Sequence, residues 1–242
     1  EALLIHNQKT ALSSSFPSSV HVGTSDIQFS PSARNLGYIL SSDLSIDKHI
    51  LHTCRSAYTA LRQISSIRSY LTVSATKVLV CAFVLSRIDY CNSLLAGCPK
   101  HAIDKLQRIQ NSAARLVLRA KKRDHITPLL YSLHWLPVKA RIEYKLSVLC
   151  HNFFSDSCPV YLSALLSVYS PARNLRSSSD TRTLSIPRVR TKTFGERAFS
   201  FCGPKQWNSL PADLRSISNT DTFKKALKTY LFKLYYSDPV TG

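Results

Sequence analysis

Between Val20 and Leu40 apolar and polar residues alternate, as at Val20/Val22 and Ile27/Phe29, and Gly23 and Pro31 interrupt the alternation. A period of two broken by turn residues predicts short strands in one hairpin or two. After Ser45 the period lengthens: Ile46, Ile50, Cys54, Tyr58, Leu61 and Ile64 recur every three or four positions, which predicts a helix to about Arg68. Thr72 or Ser74 can cap a second helix reaching Leu95. Its middle, Val78 to Leu85, is apolar nearly all round, so this helix is expected at the buried centre of a bundle. Gly97 ends it, and Pro99 suits the start of a third helix, Lys100 to Lys122.

At about 100° per residue, Ile103, Leu106, Ile109, Gln110, Ala113, Leu116 and Val117 of the third helix share an arc of about 140°. Lys105, Arg108, Ser112, Arg115, Arg119 and Lys122 share about 100° on the other side, and Lys100 adds a charge at the start. One face packs and the other is cationic. Pro128 and Pro137 bracket a short helical turn, Val138 to Phe154 reads as a fourth long helix, and residues 159–166 make a small fifth. Residues 167–193 turn rich in Ser, Arg and Pro, with extended pieces at Thr183 to Ile186 and Arg188 to Thr191. Two helices close the chain, about Gly195 to Leu210 and Thr222 to Tyr235. The expected fold is mainly α: a β-hairpin region (1–45), a helical bundle (46–166), and an extension (167–242) with a basic loop, short strands and two terminal helices.

With 44% apolar residues in 242, the chain can bury a real core. Its formal net charge is +18, a balance expected of proteins that contact polyanions. The charge is uneven: residues 100–145 hold 11 Lys and Arg against three acids, and residues 146–170 hold none against one. A second basic group, Arg173, Arg176, Arg188, Arg190 and Lys192, falls in the Ser-rich stretch. Acids balancing the charge would mark an ordinary solvated helix face; the stripe on the third helix has none, which favours binding along phosphates. Arginines suit that role because the guanidinium forks onto phosphate oxygens.

Other chemistry is thinly supported. No two acidic residues are adjacent, and Asp43, Asp47 and Asp89 fall on what read as a hairpin exit and helix ends, so they are expected to be caps and surface charges. His49, His52 and Cys54 cluster, but no second ligand pair follows; surface histidines and a packed cysteine are expected. Cys91, Cys98 and His101 are spaced too widely for a zinc knuckle. Ser, His and Asp are present without a strand-turn-helix nucleophile elbow. Seven singly scattered cysteines suit reduced thiols in an intracellular compartment. Trp135 and Trp207 stand among apolar neighbours, and core packing is favoured over base stacking. No run of about 18 uncharged apolar residues is present, so no membrane partner is expected. The lack of any methionine leads us to expect a fragment or an internal reading frame.

Several phrases resemble, in order, the region after the palm of LINE-type (non-LTR) retrotransposon reverse transcriptases, in particular the jockey-like branch. They are Asn35 to Leu40 with Asp43-Leu44-Ser45 and His49, Ser86 to Leu95, Leu106 to Leu116, Asp124 to Pro128, Leu133 to Val138, Lys192 to Gly195 with Ala198-Phe199, and Trp207 to Pro211. The resemblance covers almost the whole chain. It implies that Glu1 to Ile5 is the strand leaving the palm, that the Leu36-Gly37 hairpin is a primer grip, and that the helices are a thumb and carboxyl-terminal extension. It further implies a segment of an RNA-directed DNA polymerase that clamps RNA template and DNA primer or target during target-primed reverse transcription. Its other partners would be the palm and fingers of the same polymerase, and its place the nucleus when the element is expressed.

The tyrosine-x-Asp-Asp loop of such polymerases is absent. The chain as given is therefore expected to have no catalytic residues, metal site or cofactor, although the parent enzyme would need magnesium. A stand-alone nucleic-acid-binding helical module, or a helical interaction protein derived from such an element, is the alternative.

Overall fold

The computed structural model describes residues 2–5, 17–155, 157–170, 182–191 and 193–236. Its architecture is mainly α, with two small hairpins ahead of the helices. β1 (Ser19–Val22) pairs antiparallel with β2 (Ser25–Gln28). β3 (Ser32–Asn35) and β4 (Tyr38–Ser41) form the second hairpin, closed by Leu36 and Gly37 at φ +47° and +88°. Two successive positive values suit the right-handed twist of the strands, but leucine is a strained residue for the first of them. Tyr90 ties this turn to the helices: its hydroxyl donates to Leu36 O, and its ring lies so close that a Cβ on Gly37 would stand 3.4 Å away.

α1 (Asp47–Ser66) follows a turn in which Asp43 Oδ1 accepts the Ser45 N–H at 2.9 Å. A 3-10 turn, Arg68–Tyr70, leads to α2 (Val73–Val80), capped by the Thr72 hydroxyl, which accepts the Ala75 N–H at 3.1 Å. α2 continues through a π-helical turn, Cys81–Leu85, into α3 (Ser86–Asp89). The sequence predicts one helix to Leu95. The structure ends it at Asp89, where Tyr90 is extended and Cys91 left-handed, and Asn92–Leu95 forms a separate 3-10 turn.

The expectation that this helix is buried all round is also corrected. Val80, Val84, Leu85 and Ile88 are buried, but Val73, Val78 and Phe83 remain half-exposed or more. α1 and α4 cover only one side, and the wider π turn shifts the register so that Phe83 follows Val78 on the open side.

α4 (Lys100–Leu118) buries Leu106, Ile109, Ala113 and Val117. It stops four residues before Lys122, the end predicted by its pattern, because Arg119 turns left-handed at φ +52°. The Ala120 N–H then closes on Arg115 O at 3.0 Å, and Asp124 Oδ2 accepts the Lys121 N–H at 2.6 Å. α5 (Ile126–Ser132), α6 (Val138–Phe154), α7 (Val160–Ser163), α8 (Phe199–Asn208), α9 (Ala212–Ser216) and α10 (Thr220–Tyr236) complete the helices. Between α7 and α8, Leu184 bridges Val168 antiparallel, where an extended piece is predicted.

Two apolar clusters share α6. The first joins α1 to α5 with the start of α6 and includes Trp135. The second gathers Ala140, Val148 and Cys150 of α6 with Leu184, Trp207, Phe223, Leu227 and Leu231. A short polar ladder fixes α6 to α4: fully buried Gln110 donates to Leu136 O at 2.8 Å, and Gln107 Oε1 accepts the Val138 N–H at 2.9 Å. Buried side-chain amides that are satisfied in this way set register as well as stability.

Candidate nucleic-acid interface

α1 and α4 lie side by side and run in the same direction. Lys105 near the start of α4 is 3.9 Å from Asp47 at the start of α1. At the other end Arg68, just past α1, reaches the last turn of α4. Along the outer edge of α1, exposed Leu51, Arg55, Tyr58 and Arg62 recur every three or four residues. On α4, Lys105, which meets Asp47, and Arg108, the next cation along the helix, are exposed. The side chains of Arg55, Arg62 and Arg108 make no hydrogen bond or ion pair with other described residues. Asp47 at one end is the only acid of α1, and the only acid of α4, Asp104, stands one turn before Arg108 and lines a cleft with Lys139 and Glu143. The seam is thus a basic strip that carries one exposed aromatic ring and one leucine.

The six cations expected on the third helix do not form a single stripe. Lys105 and Arg108 stand on the seam. Lys100 points elsewhere, into the cleft shared with Asp104 and Lys139. Arg115 is half-buried, its Nη2 donating to Asp124 O at 3.2 Å and its Nε buried without a partner. Arg119 lies beyond the helix end and donates to Arg68 O at 3.3 Å. Lys122 is exposed in the turn that follows. The helix ends at Leu118, so the 100° progression that aligned these residues does not apply beyond it. Of the second basic group, Arg188 and Arg190 are exposed, while Arg173, Arg176 and Lys192 fall outside the described residues.

Arg68 is the residue that pattern reading misses. It is only 7% exposed. Its Nε donates to Leu116 O at 2.9 Å, Nη2 to Val117 O at 2.8 Å and Nη1 to Leu71 O at 2.7 Å. A buried guanidinium thus caps carbonyls at the end of α4 that the helix leaves unpaired, where its dipole favours a cation. Burial, then the neighbouring Arg119, lowers its pKa from the usual arginine value. No sequence signal separates this arginine from its exposed neighbours, because two of its three partners are backbone atoms about fifty residues away.

The hairpin tip adds a second feature. Leu36 is 87% exposed at a strained position. It rims a cleft with Arg34, His52, Ser56 and Arg87. His49 is not a surface histidine: it is buried, stacks on Tyr38 at 4.0 Å, and its Nδ1 lies 3.4 Å from the Ile39 N–H. Burial, then the charge of His52, pushes its pKa down. Asp89 is likewise not a cap, since its Oδ2 pairs with Arg141 at 2.5 Å in a partly buried position. Trp135 and Trp207 are both core residues.

All seven cysteines are free thiols. Among the described residues, no group of three His, Cys, Asp or Glu is gathered that could hold a metal ion. No described helix is long and apolar enough to cross a membrane. Searches against protein-family models, curated proteins and solved structures return no match.

Proposed function

We propose that the chain is the hairpin, thumb and carboxyl-terminal part of a LINE-type reverse transcriptase, and that it holds an RNA–DNA duplex against the seam of α1 and α4. The observation that carries the binding half is the basic strip of Arg55, Arg62, Lys105 and Arg108, where Asp47 and Asp104 are the only acids of the two helices and Tyr58 is exposed. Cations fixed on two parallel rods track a phosphate backbone, and an exposed ring offers a stacking surface that does not depend on sequence. The ordered run of family-like phrases carries the other half.

In this reading the chain supplies grip and the parent polymerase supplies catalysis with magnesium. The open face at Val73, Val78 and Phe83 suits a neighbouring part of that polymerase, since exposed apolar patches mark interaction surfaces. The work would be done in the nucleus.

A labelled RNA–DNA hybrid titrated with the chain at low salt tests the binding half, with retention expected; absence of binding sinks it. The codons upstream of Glu1 test the origin. A continuous frame encoding a tyrosine-x-Asp-Asp loop is expected, and a start codon with no such loop would favour the stand-alone module.

A further inference from the structure

α7 turns apolar residues to solvent. Backbone hydrogen bonds to Val160 O, Leu162 O and Ser163 O carry its helical winding on to Leu166. At about 100° per residue, Val160, Tyr161, Ala164 and Leu165 share an arc of about 140°, and Leu162, Ser163 and Leu166 fall on the opposite side. The first four are exposed and the other three are largely covered. A surface helix ordinarily shows polar residues to water; this one shows Val160 and Tyr161, 84% and 72% exposed, with Leu165 half exposed.

Tyr161 also lines a groove of about 740 Å³ together with Leu94, Leu149, Phe194, Ala198 and Phe199. Leu94 and Phe194 are about half exposed. An apolar ridge therefore stands beside an apolar groove, and Tyr161 belongs to both. Taking about 200 Å² for a large side chain, Val160, Tyr161, Leu165, Leu94 and Phe194 leave roughly 600 Å² uncovered, about three quarters of the 800 Å² or so that each partner buries in a standard interface. A patch of that size is at the upper end of what monomers expose.

Charge narrows the choice of occupant. Residues 157–170 contain no Lys, Arg, Asp or Glu. Of the three charged residues in the groove, Arg197 donates to Leu44 O at 3.4 Å and Lys145 lies beside Asp89. At a net charge of +18 two copies of the chain repel, so they can meet only where cations are sparse. An acidic partner would be drawn to the basic helices instead. A two-fold interface further requires one patch that fits itself, as a ridge beside a groove does. We infer that this patch joins two copies of the chain, the α7 ridge of each seated in the groove of the other. The inference stands apart from the reading of the α1–α4 seam.

The test is sedimentation equilibrium of the full, nuclease-treated chain across the micromolar range. The mass should rise with concentration from 27.1 kDa to a plateau at twice that value. Raising the salt from about 0.1 to about 0.5 M should tighten the association, because it screens the repulsion between copies. Bridging by residual nucleic acid would weaken instead. Y161S/L165S breaks the ridge and L94S the groove, and each should weaken self-association by at least about tenfold. All three residues are exposed, so the unfolding midpoints should match that of the parent.

Mixing the two variants pairs one undamaged ridge with one undamaged groove, and should restore part of the association; no recovery would overturn the ridge-in-groove arrangement. A monomer at every concentration, growth past the dimer without a plateau, or association that weakens with salt overturns the inference, as would variants that dimerise like the parent. R55Q/R62Q/R108Q should still dimerise whether or not the seam binds a duplex.

Discussion

Replacing Arg68 by methionine keeps much of the side chain's length and removes all three of its hydrogen bonds. Leu116 O and Val117 O, at the end of α4, and Leu71 O would lose donors now 2.9, 2.8 and 2.7 Å away. Hydrogen bonds from a charged donor contribute about 1.5–3 kcal/mol each. Desolvating the guanidinium offsets part of that sum, and methionine regains some apolar contact. The net loss expected is about 3–5 kcal/mol. At roughly 2–4 °C per kcal/mol for a chain of this size, the melting temperature should fall by about 6–20 °C. Lysine at the same site keeps the charge but not the planar fork, and should lose about 2 kcal/mol. Urea and thermal unfolding followed by circular dichroism measure both. A loss below about 1 kcal/mol for R68M would refute the view that this buried arginine joins α1 to α4.

Leu36→Asn should stabilise the second hairpin by about 0.5–1 kcal/mol, because asparagine before Gly37 suits the positive φ; a lower unfolding midpoint would count against it. The same change should weaken duplex binding if the exposed leucine touches the ligand, as a gel-shift titration would reveal. Asn208→Ala unpairs both backbone groups of buried Leu184, now held at 2.9 and 2.7 Å, and should cost about 2–4 kcal/mol in the same unfolding assay.

Burial holds the imidazoles of His49 and His151 below the ordinary histidine range, the second despite its Ile217 carbonyl partner. The unfolded chain then takes up protons first. Stability from these groups is full above the unfolded value of about 6.5 and is lost as pH falls from there through the folded values. Urea midpoints should drop from pH 7.5 to 5, and less steeply in His151→Gln; equal slopes would contradict the assignment.

The helices and hairpins were legible because their signals are local. Turn glycines, the Thr72 cap and the period of Ile46 to Ile64 each act within a few residues. Helix ends were less legible: Arg119 and Cys91 turn left-handed without a glycine to announce it. For the site, the sequence supplied Lys105 and Arg108 but not their neighbours Arg55 and Arg62, because the pairing of α1 with α4 is a tertiary fact. Burial of Arg68 and His49 was hidden for the same reason.

Several residues in the family-like phrases prove to be scaffold. Gln107 and Gln110 hold the start of α6, Asp124 closes the turn after α4, and Asn208 pairs with Leu184. Their hydrogen bonds place these residues in the scaffold of the fold.

The most direct test of the seam is the salt dependence of binding to an RNA–DNA hybrid, measured for the parent chain and for R55Q/R62Q/R108Q. Each phosphate neutralised contributes about 0.9 to the slope of log K against log salt. The triple variant should therefore bind more weakly with a slope shallower by about two to three, while its unfolding midpoint stays unchanged. An identical slope in parent and variant would contradict the proposed interface.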